Sequence, residues 1–277
     1  MEQNIKRVAV LGAGTMGAQI AGHLANAGIP SLLFDVDQEL AEKGKEVLTS
    51  LKPAPLYKTD NTELISACNY KEDLEKISET DWVLEAVVER LDIKEKVYSN
   101  LLPYLKETAI LTSNTSGIPL SDLTENLPAD VKKRFMITHF FNPPRYMQLL
   151  ELVRGEHTTV DTYNKMVAFG EIVLGKGVVH AKDTPNFIGN RIGIFGMMTA
   201  INLALEHDLK VEEVDKLTGI ISGRPKSATF RTADVVGLDI LKNVSLTTYE
   251  KAVDDESREL FKIPKILDNL IASNHLG

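Results

Sequence analysis

The fold class follows from one stretch near the beginning of the 277-residue chain: Lys6-Arg7-Val8-Ala9-Val10-Leu11-Gly12-Ala13-Gly14-Thr15-Met16-Gly17. Its first part, Val8 to Leu11, is apolar without alternation, which is typical of a strand covered on both faces in a parallel sheet. Met16, Ile20 and Leu24 then recur at helical spacing. The stretch therefore predicts a buried strand, a glycine-rich turn and a helix.

Strands and helices continue to alternate as far as residue 140. Further strands are predicted at residues 32–34, 82–88, 109–112 and 135–140. Helices are predicted at residues 38–51 and 120–125, and at residues 92–104, where Asp92 can serve as the cap. Pro53 and Pro55 mark a surface excursion. The alternation predicts a doubly wound α/β domain with a parallel sheet, the Rossmann architecture.

The pattern changes around Asp183. Thr184-Pro185 indicates a helix N-cap followed by proline in the first turn, and residues 186–206 are apolar nearly all round, which predicts a buried helix. Only helical patterns follow, at residues 211–221, 233–252 and 266–275. We therefore predict two domains, an α/β domain over residues 1–183 and a smaller all-α domain over residues 184–277.

Composition narrows the class of protein. The net charge is -8 and the lysines and arginines are scattered, so no nucleic-acid surface is expected. The single cysteine, Cys68, excludes an internal disulfide and fits a reducing compartment. Residues 1–4 carry no targeting pattern, and the most apolar stretch is shorter than the roughly 20 residues that span a bilayer. We expect a cytoplasmic protein without a membrane segment or a metal site.

The glycine-rich turn matches the dinucleotide fingerprint GxGxxG. Gly12 permits the tight turn, Gly14 lets the backbone of Thr15 and Met16 approach a pyrophosphate, and Gly17 allows the helix to pack closely on the strand. Asp35 ends the second strand, where a carboxylate can bond both ribose hydroxyls and would repel a 2′-phosphate. The pattern favours NAD; the alternatives are FAD or a plain strand-to-helix turn.

A histidine and a glutamate form the candidate catalytic pair. His139 and Glu151 are an even number of positions apart, and a hairpin centred on Arg145 would place them opposite each other with Cβ atoms about 5 Å apart. The carboxylate would orient the imidazole, and the second ring nitrogen could take a hydroxyl proton. The alternative is a structural histidine beside a solvated glutamate.

Two further polar residues are candidate substrate contacts. Asn190 is an amide in an apolar helix just beyond the domain boundary; its alternative role is an interhelical hydrogen bond. Ser116 follows the strand at residues 109–112 and so lies at the carboxyl edge of the sheet, where ligands bind. Its alternative role is to cap the next helix.

Several motifs together resemble the L-3-hydroxyacyl-CoA dehydrogenase family of fatty-acid β-oxidation. They lie at residues 12–17, 86–89, 113–116, 139–143, 183–191 and 236–239. The resemblance implies that His139 is the general base, that Glu151 orients it, and that Ser116 and Asn190 contact the substrate. It also implies an NAD site with contacts from Asp35, Glu89, Lys94, Ser116, Asn142 and Lys242. Without it, Glu89 would be a strand-end acid, and Lys94 and Lys242 would be helix-surface lysines.

The chain departs from the family pattern in three places. Asn186 stands where the family usually has glycine, residues 223–234 replace a more common Gly-Pro-Phe-Glu type of run, and the Pro53/Pro55 excursion makes the family's CoA-phosphate contacts untransferable. Residues 223–234 and the Pro53/Pro55 excursion resemble the branch in which the dehydrogenase is fused to an enoyl-CoA hydratase. The family continues beyond the position of Gly277, so we expect a truncated helical domain and a longer polypeptide.

The resemblance implies NAD-dependent oxidation of (S)-3-hydroxyacyl-CoA to 3-ketoacyl-CoA, with an acyl-CoA as the partner and a homodimer formed through the helical domain. Two alternatives stay open. One is a dehydrogenase of a free hydroxy acid or sugar acid, and the other is a catalytically idle NAD-binding subunit. The joint presence of His139, Glu151 and Asn190 argues against the idle subunit, because a packing role does not need all three.

Overall fold

A computed structural model describes residues 5–277, so the N-terminal residues 1–4 considered above lie outside the described part of the chain. The described residues form two compact units, one ending at Asp183 and the other running from Thr184 to Gly277. Each unit has its own buried apolar core.

The first unit is built on a twisted sheet. Its strands are β1 (Val8–Leu11), β2 (Ser31–Asp35), β3 (Ile65–Asn69), β4 (Trp82–Glu85), β5 (Ile110–Ser113), β6 (Phe135–Phe140), β7 (Leu149–Arg154) and β8 (Gly177–Ala181). Within residues 5–277 they form one eight-stranded sheet in the order β3-β2-β1-β4-β5-β6-β7-β8. Neighbouring strands are parallel except β6 and β7. This confirms the predicted doubly wound α/β architecture.

The strand order locates the site. From β1 the chain proceeds to β2 and β3 on one side, and β4, β5 and β6 extend on the other side. The order therefore reverses between β1 and β4, and ligands of open α/β sheets bind outside the carboxyl ends of strands at such a point. The loops that follow β1, β4, β5 and β6 all reach this carboxyl edge, because these four strands are parallel.

Helices cover the sheet and connect its parallel strands. They are α1 (Thr15–Asn26), α2 (Gln38–Val47), α3 (Leu91–Leu101), α4 (Leu120–Thr124), α5 (Ala129–Lys132) and α6 (Val160–Ala168). The predicted cap of α3 is wrong: the N-cap residue is Arg90, and Asp92 lies in the first turn. There its charge still favours the helix, because acidic side chains complement the positive end of the helix dipole.

The Pro53/Pro55 excursion contacts the connection between β6 and β7. The Arg145 guanidinium donates to the carbonyl oxygens of Ala54 and Leu56 at 2.6 and 2.7 Å. It also lies over the Tyr57 ring, 4.4 Å from the centroid. The Tyr146 hydroxyl also donates to Ala54 O at 3.0 Å, so side chains of the hairpin connection hold the excursion in place.

The second unit is helical. Its helices are α7 (Gly189–Glu206), α8 (Val211–Thr218), α9 (Phe230–Val236), α10 (Leu238–Lys251) and α11 (Lys265–Ala272). The single helix predicted over residues 233–252 is broken at Gly237, whose φ of +101° lies outside the helical region. The predicted all-round burial of the helix now called α7 is wrong within this unit, since Ile194 and Met198 are buried but Ile192 is 67% exposed.

The start of α7 also differs from the prediction. Asn186 and Phe187 have φ values of +60° and +48°, so they cannot continue a right-handed helix from Pro185, and α7 begins only at Gly189. The Asn186 amide is buried and donates to Val244 O at 2.8 Å and to Thr248 Oγ1 at 2.7 Å. Asparagine tolerates the left-handed conformation better than most residues. It therefore serves where the family usually has glycine, and it also ties this turn to α10.

None of the helices in the described part of the chain combines the length and the apolar character needed to cross a membrane.

Candidate active site

The glycine-rich turn leaves space at one position and none at two others. A Cβ atom on Gly12, which has a φ of +101°, would lie 2.6 Å from Ala86 O, and one on Gly17 would lie 1.7 Å from Gly12 O. A Cβ atom on Gly14 would meet no atom within 4 Å. Gly12 and Gly17 are thus required by the fold, whereas Gly14 opens onto unfilled space. This is the geometry that close approach of a pyrophosphate needs.

The beginning of α1 fits an anion. Gly14 is the N-cap residue and has no side chain to accept a hydrogen bond from the first turn, which begins with Thr15 and Met16. The first N–H groups of a helix have no intrahelical partner, and the helix dipole favours negative charge there. Phosphate oxygens could accept from these backbone groups.

The Asp35 carboxylate lies beside the turn. Its Oδ2 accepts from the Ala13 N–H at 2.7 Å, and its Oδ1 accepts from the Val36 N–H at the same distance. An ionised carboxylate has about four acceptor sites, so two hydrogen bonds leave capacity for ribose hydroxyls. The turn, the helix start and this carboxylate together fit an NAD molecule.

His139 and Glu151 meet as the hairpin prediction requires. They are direct partners in the antiparallel register of β6 and β7, which confirms the hairpin. His139 Nδ1 lies 2.7 Å from Glu151 Oε2, and both side chains are buried, at 5% and 0% exposure. A carboxylate can only accept, so Nδ1 carries the proton that forms this bond and Nε2 is the basic nitrogen of the neutral ring.

Asn142 connects the hairpin to the dinucleotide helix. It follows β6, and its Oδ1 accepts from Gln19 Nε2 at 3.0 Å. Gln19 is a buried residue of α1. The Asn142 side chain is therefore oriented from the same helix whose first turn fits the phosphates.

Ser116 lies in the loop after β5, where Glu89 holds the backbone. Glu89 Oε1 accepts from the N–H groups of Ser116 and Gly117 at 3.0 and 3.1 Å, and from the hydroxyl of Thr115. Burial alone would raise the pKa of Glu89, but the Lys94 ammonium and these hydrogen bonds lower it below its usual value. Glu89 therefore stays ionised as a fixed anchor of this loop.

Lys94 is not the surface lysine that its helix pattern indicated. Its side chain is 1% exposed, and Nζ lies 2.7 Å from Glu85 Oε1 and 3.1 Å from Glu89 Oε2. The interpretation as a solvated residue is wrong because α3 turns this position towards the end of β4. Its role as an NAD contact stays a prediction.

Family models match both units in turn. The model described as "3-hydroxyacyl-CoA dehydrogenase, NAD binding domain" matches residues 7–184, and the model described as its "C-terminal domain" matches residues 187–277. The chain belongs to the 3-hydroxyacyl-CoA dehydrogenase family. NAD is accordingly its cofactor, as the glycine-rich turn predicted, and the FAD alternative is set aside.

Similar proteins of the 3-hydroxyacyl-CoA dehydrogenase family cover the whole chain. A probable 3-hydroxyacyl-CoA dehydrogenase of Bacillus subtilis is 44% identical over all of this chain but only 38% of its own length. A protein of the same description from Deinococcus radiodurans is 43% identical over 99% of this chain and 80% of its own. The crystal structure of Mycobacterium tuberculosis FadB2 is 30% identical, with a TM-score of 0.87 over 99% of this chain and 95% of that chain.

Two predicted site residues of this family member lie in the second unit. Asn190 is the second residue of α7 and is half-buried. Lys242 lies on α10, and its Nζ is 2.6 Å from Asp268 Oδ1. His139 belongs to the first unit, so the pairing of Asn190 and Lys242 with the groups described above stays a prediction.

Sequence reasoning missed Glu85, the last residue of β4. It is fully buried among apolar strand residues and accepts hydrogen bonds from four donors. The available signal was an acid inside an otherwise apolar strand, which is rare unless the charge is paired. Among the described residues, no cluster of histidine, cysteine, aspartate or glutamate is suited to hold a metal ion.

Proposed function

We propose that the chain is an NAD-dependent (S)-3-hydroxyacyl-CoA dehydrogenase that acts in fatty-acid β-oxidation. The observation that carries the proposal is the buried His139–Glu151 pair at the carboxyl edge of the sheet that also presents the dinucleotide turn. The contact between Gln19 and Asn142 links the two regions. Family membership supplies the substrate class, a 3-hydroxyacyl thioester of CoA.

His139 acts as the general base in this proposal. Glu151 holds the proton on Nδ1, so Nε2 takes the proton of the C3 hydroxyl group. The Glu151 carboxylate stabilises the imidazolium formed in this step. Because the carboxylate is fully buried, water does not solvate it in competition with the imidazolium. Bound NAD supplies the hydride acceptor.

The remaining predicted residues position the reactants. Ser116 and Asn190 contact the substrate oxygen atoms in this proposal. Asp35, Glu89, Lys94, Ser116, Asn142 and Lys242 hold NAD together with residues 12–17. The fixed loop that carries Ser116 supports its assignment, because a catalytic contact must be held in a productive geometry before the substrate arrives.

The wider setting of the chain is also proposed. The chain spans 38% of its Bacillus subtilis relative, which is consistent with a protein that carries further domains. The sequence of residues 223–234 supports an enoyl-CoA hydratase as the fused neighbour. A homodimer and a cytoplasmic location are further expectations from the sequence.

The substrate class can be tested with two acceptors that differ only in the thioester. We expect the protein to oxidise NADH with acetoacetyl-CoA at least roughly 10²-fold faster than with acetoacetate, because binding energy from CoA contributes to transition-state stabilisation. The measurement is kcat/KM from NADH absorbance. Equal values for the two acceptors would contradict the CoA proposal and favour a dehydrogenase of a free acid. NADH binding without turnover of either would favour the idle subunit.

A further inference from the structure

The fully buried carboxylate of Glu85 lies next to the loops at the carboxyl edge of the sheet. Glu85 Oε1 accepts from Lys94 Nζ at 2.7 Å and from the Val87 N–H at 2.8 Å. Its Oε2 accepts from the hydroxyls of Ser113 at 2.6 Å and Tyr98 at 2.9 Å. All the acceptor sites of the carboxylate are therefore filled by protein groups. Glu85 has no capacity left for a ligand, so any contribution to the site passes through its neighbours.

Lys94 forms ion pairs with both Glu85 and Glu89. Its ammonium lies between the buried Glu85 carboxylate and Glu89, whose side chain is 42% exposed. A buried ammonium is stable only when it is paired and hydrogen-bonded. Glu85 supplies the buried part of that pairing, and Lys94 in turn pairs with Glu89.

Glu89 then fixes the loop that follows β5. It accepts from the hydroxyl of Thr115 and from two successive backbone N–H groups, those of Ser116 and Gly117. Ser113 also contacts this loop. Its hydroxyl donates to Glu85 and accepts from the Thr115 N–H at 3.1 Å. The loop that carries Ser116 is thus tied to Glu85 by two routes.

We propose that Glu85 is a positioning residue, which sets residues 115–117 in place for the cofactor through Lys94 and Glu89. The burial of Glu85 and the four hydrogen bonds to it explain why the charge sits at the end of β4. Burial and the neighbouring Glu85 carboxylate also raise the pKa of Tyr98 well above its usual value, so the phenol remains a donor to this anchor. The inference rests on the part of the proposed function that places Ser116 at the cofactor.

Glu85→Gln removes the negative charge of the side chain and keeps its size and shape. The glutamine oxygen can still accept from Lys94 and Val87, and its amide can donate to the hydroxyls of Ser113 and Tyr98. Thr112→Val is the matched control: Thr112 is buried on β5 and accepts from Trp82 Nε1 and Thr138 Oγ1, both at 2.9 Å, but these contacts reach no loop. Lys94→Met and the double variant Glu85→Gln/Lys94→Met complete a double-mutant cycle.

Two measurements on the full chain separate positioning from general destabilisation. Amide hydrogen exchange reports on the Ser116 and Gly117 N–H groups, relative to the amides of β5. We expect Glu85→Gln to accelerate exchange at these two amides about tenfold or more, because a local opening that becomes easier by 1.4 kcal/mol exchanges tenfold faster. We also expect the Kd for NADH to rise roughly fivefold. Thr112→Val should change neither the exchange at Ser116 and Gly117 relative to β5 nor the Kd for NADH.

The double-mutant cycle tests whether Glu85 acts through Lys94. If Glu85 acts through Lys94 as well as through Ser113, the effect of the double variant should fall short of the product of the two single effects. Fully multiplicative effects, unchanged exchange at Ser116 and Gly117 in Glu85→Gln, or equal acceleration throughout β5 would each overturn the inference. If Lys94→Met alone does not fold, Glu85→Gln carries the test by itself: exchange about tenfold faster at Ser116 and Gly117 relative to β5 is expected, and unchanged exchange at these two amides relative to β5 overturns the inference.

Neither measurement requires turnover. A wild-type chain that binds NADH but reduces neither acceptor would refute the proposed dehydrogenase and leave the Glu85 result standing. A fully active chain with unchanged exchange in Glu85→Gln would refute the positioning role and leave the dehydrogenase standing.

Discussion

The pairing of His139 with Glu151 determines the state of the imidazole. Glu151 is 0% exposed, so its carboxylate has no water to solvate it and must accept a hydrogen bond from the protein. The bond of 2.7 Å to Nδ1 meets this need and fixes the tautomer at the same time. One contact therefore stabilises the folded hairpin and orients the nitrogen that would accept a proton.

Glu151→Gln should separate these two roles. The amide oxygen can still accept from Nδ1, but the negative charge that stabilises an imidazolium is gone. We expect kcat for reduction of acetoacetyl-CoA to fall roughly 10²-fold or more, since general acid–base catalysis contributes about 10²–10⁴-fold. The Kd for NADH should change less than about twofold. Glu156→Gln, at an exposed position, is the control. A kcat within threefold of wild type would contradict this role.

The sequence predicted those site residues whose placement depends on strand parity or on the end of a strand. His139 and Glu151 needed only an even separation and a hairpin, and Asp35 needed only to end β2. Lys94 and Glu85 could not be predicted in the same way. Whether a lysine on a helix is solvated or buried depends on what the helix covers, and at Lys94 the helix α3 faces an acid of β4.

At the scale of elements, β1, the glycine-rich turn and α1 form the segment that we propose as the cofactor site. Its three glycines have different tasks, which the space around each of them distinguishes. Gly12 and Gly17 face backbone atoms, whereas Gly14 faces open space. The first two serve the fold, and the third leaves room for a ligand.

Alanine at two of these positions should give opposite results. Gly14→Ala should keep the free energy of unfolding within about 0.5 kcal/mol of wild type, because its Cβ meets no atom. It should raise the Kd for NADH at least tenfold, since the methyl group occupies the space of the pyrophosphate. Gly17→Ala should destabilise the fold by more than roughly 3 kcal/mol, because its Cβ would overlap Gly12 O. The measurements are urea unfolding and NADH fluorescence titration; a reversed pattern would contradict this account.

The sequence predicted those strands whose burial appears as a continuous run of apolar residues. β1, β2 and β4 lie in the middle of the sheet and show such runs. β3 and β8 are its two edges, and they were missed because Ile65–Asn69 and Gly177–Ala181 mix polar, small and half-exposed residues. The start of α7 was misjudged because a left-handed pair, Asn186 and Phe187, has no signal in hydrophobic periodicity.

At the scale of the first unit, a buried histidine ties distant parts of the chain. His23 lies on α1, and its Nε2 is 3.1 Å from the carbonyl oxygen of Leu174, 151 residues away. Burial lowers the pKa of His23 to about 4, the Lys176 ammonium lowers it as well, and the Leu174 carbonyl opposes both. The folded state therefore holds His23 neutral over a pH range in which the unfolded chain protonates it.

This difference predicts how stability depends on pH. Between about pH 6.5 and pH 4 the unfolded state binds a proton that the folded state does not, so the free energy of unfolding falls as the pH falls. The loss from this group should approach roughly 3 kcal/mol at pH 4. Urea unfolding of wild type and His23→Gln should diverge across this window, with His157→Gln, at an exposed position, as the control for loss of a histidine. Parallel curves for wild type and His23→Gln would contradict the prediction.

The most direct test of the proposed function is the activity of His139→Ala at unchanged cofactor binding. kcat/KM for acetoacetyl-CoA is measured with NADH in excess, alongside the Kd for NADH, for wild type, His139→Ala and His157→Ala. His139 accepts the proton in oxidation and donates it in this reduction, so its removal should lower kcat/KM by about 10²–10⁴-fold, with the Kd for NADH within about twofold of wild type and His157→Ala fully active. An unchanged kcat/KM for His139→Ala would contradict the assignment of His139 as the base.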